Sequence, residues 1–383
     1  MLEFGYRCSM CGAAYEITPQ RMLCDGCSRE QADDEPLRGI LEVEISGSVG
    51  SDWRIADLLP VEERWFPSIP VGNTPLWQPE RMRTHIGFPR LYLKDDTANP
   101  TGSLKDRASY LVAAYARSQG IRDIVVASTG NAGSSMAGIG AAAGLNVRLF
   151  IPESAPRAKL VQALQYGAQV ERVSGTYDQA YDESLAYSRE HGGLSRNTGY
   201  NPLTIEGKKT AALEIFRQLG GCTPDIVFVP VGDGVILSGL YKGFEDLVTL
   251  RLAERVPRLV AVQSEGSSAI ARAFDSERFG PPVAAETVAD SISVDVPRAG
   301  YFAVERLRRH DGETVVVDDE SILAAQLYLS TISGLFAEPA AAASVAGFLD
   351  IRDTLPADAT VVLCITGSGL KDIESAKKEV GLE

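Results

Sequence analysis

The chain reads as an α/β protein of two domains, each built on a largely parallel twisted sheet flanked by helices, with a small cysteine-bearing module ahead of them. Three observations predict this. From about residue 70 onward one pattern recurs: a short apolar run, a turn of small residues, then a longer stretch of helical character. The turns gather Gly, Ser, Thr and Asn, at the places where α/β folds bind ligands, the carboxyl ends of strands. The 383 residues, 45% hydrophobic and 23% charged, have an ordinary globular composition with enough apolar material for two cores.

The N-terminal element is the cysteine module, residues 1–35. Cys8-x-x-Cys11 and Cys24-x-x-Cys27 are two pairs separated by twelve residues, a little under the usual zinc-ribbon spacing. Four thiolates at such spacing can close a tetrahedral cage around a structural zinc ion; the alternative is four structural thiols without a metal. Cys222 and Cys364 read as small buried hydrophobes. An acidic, Pro-ended linker, QADDEP (31–36), follows. The opening MLEFGYRCSMCG has no basic segment followed by an apolar core, and PAAAASVAGFL (339–349) is too short to cross a membrane. Paired cysteines of this kind suit a reducing compartment, so the expectation is a cytoplasmic protein. The net charge of −14 argues against nucleic acid and anionic membrane as partners.

The α/β units follow in order. ANPTGSLKDRA (98–108) passes from turn chemistry into a helix near Ser103, with Lys105 at its start, where the positive helix end disfavours an ammonium and favours a neutral, nucleophilic amine. DIVVAS (123–128) leads into TGNAGSSMAGIGAAAG. NVRLFIP (146–152) leads into SAPRAKLVQALQYG, with Ser154 as the N-cap. AQVERV (168–173) leads into YDQAYDESLAYSREHG. DIVFVPV (225–231) leads into GDGVILSGLYKGF, and ATVVLCI (359–365) leads into TGSGLKD.

Two of these turns suit an anion. Ser128, Thr129, Gly130, Asn131, Ala132 and Gly133 follow a strand and open a helix, so backbone N–H groups and the Asn131 amide can converge on a ligand. Gly232, Asp233 and Gly234 precede Val235 and Ile236 in a G-x-G-x4-G pattern, which is neither a dinucleotide fingerprint nor a Walker loop. The plain alternative for both is a small-residue turn that packs strand against helix. Three scattered histidines (His85, His191 and His310) give no metal spacing, and no G-x-S-x-G elbow is present.

Taken together, VGNTPL (71–76), NPTGSLKDR (99–107), STGNAGSS (128–135), NPLTIEGKKTAALEI (201–215), PVGDG (230–234), EPAAAAS (338–344) and TGSGLKD (366–372) resemble the pyridoxal-phosphate (PLP) enzymes of the tryptophan-synthase-β superfamily, fold type II. The nearest likeness is to the threonine synthases, some of which carry an N-terminal CxxC module. The resemblance runs from about Gly72 to Asp372. It implies that Lys105 is the lysine that forms the Schiff base with PLP and then shuttles protons at the substrate carbons. Asn131 would bond the cofactor 3-hydroxyl. Gly232, Asp233, Gly234, Val235 and Ile236 would cradle its phosphate, and Thr366 would meet the pyridine nitrogen. Ser128, Thr129, Gly130 and Ala132 would hold the substrate carboxylate. It also implies a large PLP-binding domain (36–102 and 196–383), a small mobile domain (103–195), an active site between the two, and a homodimer.

Departures from the family pattern bear on the substrate. Thr204 stands where threonine synthases usually have Arg, Asp233 where they have Asn, and Ala132 where they have Thr. A guanidinium is lost and a carboxylate gained near the expected substrate phosphate; Arg157, Lys159 and Asn197 are the candidates to compensate. The leading expectation is elimination or replacement at Cβ or Cγ of an amino acid, with O-phosphohomoserine converted to threonine as the best single reaction. The alternatives are a specialised paralogue acting on another substrate, a serine/threonine dehydratase (suggested by ILSG, 236–239), and a non-catalytic, zinc-bearing scaffold.

Overall fold

The computed structural model describes residues 2–32, 34–155, 157–377 and 380–381, with the side chains of residues 157–159 outside the description. The chain divides into two compact units, Met1–Glu30, Arg38–Gly72 and Asn99–Thr210 in one, Gln31–Leu37, Asn73–Ala98 and Ala211–Glu383 in the other.

The first unit carries two sheets. A three-stranded antiparallel sheet has Leu2–Cys8 in the centre, flanked by Ala14–Tyr15 and Leu41–Gly47. Leu41, Val43 and Ile45 alternate with half-buried or exposed neighbours, the two-residue period of a strand with one face covered. The sequence reading assigned 36–102 to the large domain, whereas residues 38–72 cluster here with the cysteine module. The reason is the register: Leu41–Gly47 pairs with Leu2–Cys8 along its whole length, from Cys8 opposite Leu41 to Leu2 opposite Gly47.

The second sheet of this unit is four-stranded and parallel, in the order Gln169–Val173, Asn146–Pro152, Asp123–Ala127, Leu194–Ser195. The chain builds outward from Asp123–Ala127 to one side and then returns to place Leu194–Ser195 on the other. A topological switch point therefore falls between these two strands, and their carboxyl ends open at Ser128 and Arg196. Helices Lys105–Ser118, Asn131–Ala143, Arg157–Gln165, Tyr177–His191 and Leu203–Lys208 belong to this unit. Ser154 lies in a turn ahead of the helix that starts at Arg157, so it does not cap it, and Pro156 lies outside the described residues. A cap is present instead at Thr176, whose side chain accepts the N–H of Gln179 and whose own N–H is bonded by the Gln179 side chain.

The second unit is a six-stranded sheet in the order Glu313–Val317, Arg258–Ser264, Ile226–Pro230, Val361–Ile365, Leu91–Asp95, Leu76–Trp77. All pairs are parallel except the last, where the short Leu76–Trp77 runs antiparallel to Leu91–Asp95. Ile226–Pro230 and Val361–Ile365 are buried at every residue, as expected for central strands covered on both faces. They also flank this sheet's switch point, so the turns after Pro230 and after Ile365 meet at one edge of it. The apolar run near residue 340 is helix Pro339–Ile351, buried from Pro339 to Phe348. Its small residues admit a close approach: a Cβ on Gly347 would come 2.6 Å from Val262. Cys364 is buried in its strand, but Cys222 is exposed, because it sits in the loop that follows Gly220 and Gly221 rather than in an element with a covered face. Among the described residues no helix is long and apolar enough to cross a membrane.

Candidate active site

In the first unit, the turn before Lys105 is built by its own residues. Gly102 takes φ +84°, which an L side chain rarely adopts, and its N–H reaches Asn99 O at 2.8 Å. The Asp106 carboxylate, fully buried, reaches back to accept the Thr101 N–H at 2.7 Å and the Thr101 hydroxyl. Lys105, the first residue of its helix, is half-buried between these fixed neighbours.

Asn131 opens the helix Asn131–Ala143 and is buried. The turn ahead of it is tight. A Cβ on Gly133 would lie 2.7 Å from Ser128 O, and Ser128 Oγ accepts the Gly130 N–H at 3.3 Å. Ser128 is buried, whereas Thr129, Gly130 and Ala132 are half-buried. The Asn131 helix meets the lysine turn directly. Gly138 has no room for a Cβ, which would come 2.7 Å from the Thr101 methyl, and Ser135 Oγ donates to Ser109 Oγ on the lysine helix at 2.7 Å. Lys105 and Asn131 thus start two helices that pack on each other.

The segment after Leu194–Ser195 departs from the sequence reading. Asn197 Oδ1 accepts the Ala127 N–H at 2.7 Å, and its Nδ2 donates to Ser184 Oγ at 2.7 Å. The Thr204 hydroxyl donates to Asn201 O at 2.7 Å and accepts the Gly199 N–H at 3.1 Å. Both residues are fully buried. Asn197 thus ties the end of strand Asp123–Ala127 to Ser184, and Thr204 ties the backbone of its own loop. The Lys159 side chain lies outside the described residues.

Arg196 was not singled out from sequence. No local signal marks it, because the strand that ends just before it, Leu194–Ser195, is two residues long. It is fully buried, and its guanidinium donates to three neutral oxygens: Thr198 Oγ1 at 2.7 Å, Ser109 Oγ at 3.2 Å and the Lys105 carbonyl at 3.4 Å. Burial lowers its pKa to about 10, an effect that Tyr177 and Asp106 oppose.

In the second unit, Gly234 adopts φ +81° and leads into helix Val235–Thr249 with no side chain capping it. The first N–H groups of this fifteen-residue helix therefore point out of its positive end, at the carboxyl edge of the sheet. Gly232 fits because a Cβ would come 2.8 Å from Ile292 Cα. Val235 and Ile236 are buried. Asp233 is half-buried and tied to the segment ahead of helix Gly300–Arg309, with its carbonyl accepting the Ala299 N–H at 2.9 Å and its carboxylate facing the Arg298 N–H at 3.4 Å. Thr366 is buried just past Ile365. Beside it, the buried Glu338 packs so near Gly367 that a Cβ there would lie 2.3 Å from Glu338 Oε1. EPAAAAS drew notice as a motif, but its carboxylate was not named.

These residues fit PLP. In the first unit a lysine at a helix start and a buried amide suit the cofactor's aldehyde and ring hydroxyl; in the second unit, taken by itself, an uncapped helix N-terminus suits a dianion and a buried hydroxyl suits a ring nitrogen.

The cysteines form a separate site in the first unit. The four Sγ atoms lie within 4.8 Å of one another, with Cys8 and Cys27 3.8 Å apart and Cys11 and Cys24 3.6 Å apart. These spacings are far above a disulfide bond length. Gly39, at φ +71°, lets the chain pass close by, because a Cβ there would come 2.9 Å from Cys24 Cβ. Burial pushes the Cys24 thiol up, but the Cys27 N–H and the Tyr15 hydroxyl, 3.1 Å from Cys24 Sγ, outweigh it and bring the thiol down to about 6.

Comparison with known proteins identifies the family. The family model described as pyridoxal-phosphate dependent enzyme matches residues 68–367. A threonine synthase of Methanosarcina acetivorans is 35% identical over 374 residues, covering 96% of this chain and 92% of its own. One of Methanocaldococcus jannaschii is 32% identical over 379 residues, covering 97% and 93%. Among solved structures, the processed threonine deaminase isoform 2 of Solanum lycopersicum superposes with a TM-score of 0.70 at 19% identity, over 93% of this chain and 98% of that one, a likeness of fold. With a third of its residues shared with threonine synthases along nearly its whole length, the chain belongs to the pyridoxal-phosphate-dependent enzymes, as a lyase carrying out threonine-synthase-like elimination and replacement.

Proposed function

We propose that the enzyme converts O-phosphohomoserine and water to threonine and phosphate. The observation that carries this reading is the match to threonine synthases over nearly the whole of both chains. In the first unit, Lys105 would hold the cofactor covalently at rest, with Asn131 bonded to its ring hydroxyl. The uncapped amides after Gly234 would hold its phosphate in the second unit, where Thr366 would meet the ring nitrogen with a hydroxyl. When bound, PLP supplies the electron sink for carbanionic charge at the substrate carbons. Lys105 Nζ, once released, takes protons from Cα and Cβ and returns protons to the carbon skeleton as phosphate leaves Cγ and water adds at Cβ. The N–H groups around Ser128–Ala132 orient the substrate carboxylate. The test is incubation of PLP-loaded protein with O-phosphohomoserine: equimolar phosphate and threonine support the reading, and their absence sinks it.

A dehydratase reading is favoured by one feature, the engagement inside the fold of Thr204, which stands in the place of the family's Arg, and of Asn197. Formation of 2-oxobutyrate from threonine, with no turnover of the phosphate ester, would decide for it.

The proposed metal is zinc. For a Zn–S bond of about 2.3 Å a tetrahedron of sulfurs has edges of about 3.8 Å, and the Cys8–Cys27 and Cys11–Cys24 separations already approach that length. The metal would be structural, because four protein ligands leave no position for substrate.

A further inference from the structure

A buried guanidinium that bonds only neutral oxygens needs a reason. Among the described residues, no carboxylate pairs with Arg196, although Asp106 acts on it from a distance. Its three bonds reach two places on the lysine helix, the Lys105 carbonyl and Ser109, and one on its own loop, Thr198. Ser109 in turn receives Ser135 from the Asn131 helix. One cation therefore ties together the first turn of the lysine helix, the Asn131 helix and the strand end at the switch point. Its backbone completes the tie, since the Arg196 N–H bonds Val125 O at 2.8 Å.

We propose that Arg196 is a positioning residue for Lys105, fixing the first turn of its helix and setting a positive charge against its backbone that favours the neutral amine. This rests on Lys105 being the cofactor lysine.

The other charged groups near this helix are already engaged. Asp106 is bonded by Thr101, and Arg107 donates to Thr210 Oγ1 at 3.0 Å. On the helix Leu203–Lys208 packed against it, Glu206 pairs with Lys209, and Lys208 donates to Thr204 O at 3.1 Å. In the turn Glu63–Trp65, Glu63 pairs with Arg54, and Arg64 pairs with Glu62. The helix Asn131–Ala143 brings no charged residue, and from Tyr177–His191 the group acting on Arg196 is Tyr177. Arg196 is a fully buried cation on which Asp106 acts, so its charge offsets that of the carboxylate. Without it, the Asp106 carboxylate would hold a proton on the neighbouring amine.

The test is a pH titration of the visible absorbance of the PLP-loaded protein, for wild type, Arg196→Met and Arg196→Lys. The expected result for Arg196→Met is a titration midpoint raised by about one pH unit or more. Arg196→Lys should return the midpoint towards wild type, because the charge is kept, while kcat stays low with KM unchanged, because the fork to Lys105 and Ser109 is lost. A folded, PLP-binding Arg196→Met protein with the wild-type midpoint overturns the proposal and leaves Arg196 a packing residue. If Arg196→Met does not fold, the wild-type apoprotein decides: Lys105 labelled by an amine reagent should react as a lysine of lowered pKa, and the pH profile of an ordinary lysine overturns the proposal. The cofactor-lysine reading fails separately, if Lys105→Ala keeps the visible band.

Discussion

Asp106 folds back to accept the backbone N–H of Thr101 at 2.7 Å, so the residue after Lys105 fixes the residue four before it. A second bond, from the Thr101 hydroxyl, makes the same carboxylate a clamp on both. Buried bonds to a charged acceptor are worth about 1.5–3 kcal/mol each, and a donor left unpaired adds to the loss. Asp106→Ala is therefore expected to destabilise the protein by about 3 kcal/mol and to weaken PLP uptake. Denaturant unfolding and a cofactor titration check the two effects. Unchanged PLP affinity would show that the clamp serves stability alone.

Lys105→Ala removes the amine and leaves the clamp untouched. The expectation is loss of the visible band, loss of activity by about 1,000-fold or more, and a melting temperature close to wild type. Lys105 is half-buried at the first position of its helix, so its truncation opens little buried volume. A large drop in stability would mean that the lysine is a structural cation.

Gly234→Ala tests the anion cradle. At φ +81° an alanine is strained, and its Cβ would come 2.9 Å from Ala303 Cβ and 3.1 Å from Ile270 Cδ1. The backbone cost alone is about 1–3 kcal/mol. Any relaxation tilts the first amides of helix Val235–Thr249, so PLP should bind at least about tenfold more weakly, while inorganic phosphate no longer protects the apoprotein from unfolding. Equal PLP affinity in mutant and wild type would place the phosphate elsewhere.

Metal removal should act locally. Leu2–Cys8 carries one ligand at its end and is zipped to Leu41–Gly47, so a chelator is expected to expose the amides of this small sheet to hydrogen exchange before those of the parallel sheets. Metal must displace protons from the thiols, so affinity should fall as pH falls. Exchange that rises evenly over the chain after chelation would contradict a local role. A metal content below one per chain in protein purified without chelator would sink the zinc assignment.

What the sequence made legible was set by local patterning. The apolar runs DIVVAS, NVRLFIP, DIVFVPV and ATVVLCI are strands because parallel strands are covered on both faces, and the small-residue turns after DIVVAS, DIVFVPV and ATVVLCI lie at carboxyl ends because that is where helices begin. The switch points were not legible, because strand order depends on which strands pair, a non-local choice. For the same reason Leu41–Gly47, with its clear two-residue alternation, was not linked to the cysteine strand that it pairs with. Arg196 stayed hidden because sequence shows an arginine without showing that it is buried. At Asn197 and Thr204 the hydrogen-bonding capacity is visible in the sequence, and the carbonyls, amides and hydroxyls that engage it are not.

Thr204 gives the last expectation. Its hydroxyl bridges Asn201 O and the Gly199 N–H with no exposed surface, so this side chain helps close the segment 199–204 on itself, beside the Thr204 N–H to Asn201 O and the Leu203 N–H to Asn201 Oδ1. Thr204→Val has nearly the same shape and loses both bonds; the buried Gly199 N–H loses its acceptor, while Asn201 O keeps the Thr204 N–H at 3.0 Å, a cost of about 1–3 kcal/mol. Thr204→Ser keeps the hydroxyl and gives up only a methyl group, about 1 kcal/mol. If the hydroxyl is structural, stability should fall in the order wild type, Ser, Val, while kcat/KM for a phosphorylated and an unphosphorylated substrate changes by the same factor. If instead the hydroxyl meets the substrate, the two kcat/KM values will diverge in Thr204→Val. Comparing the two substrates on one variant separates these outcomes, because a loop that merely loosens penalises both.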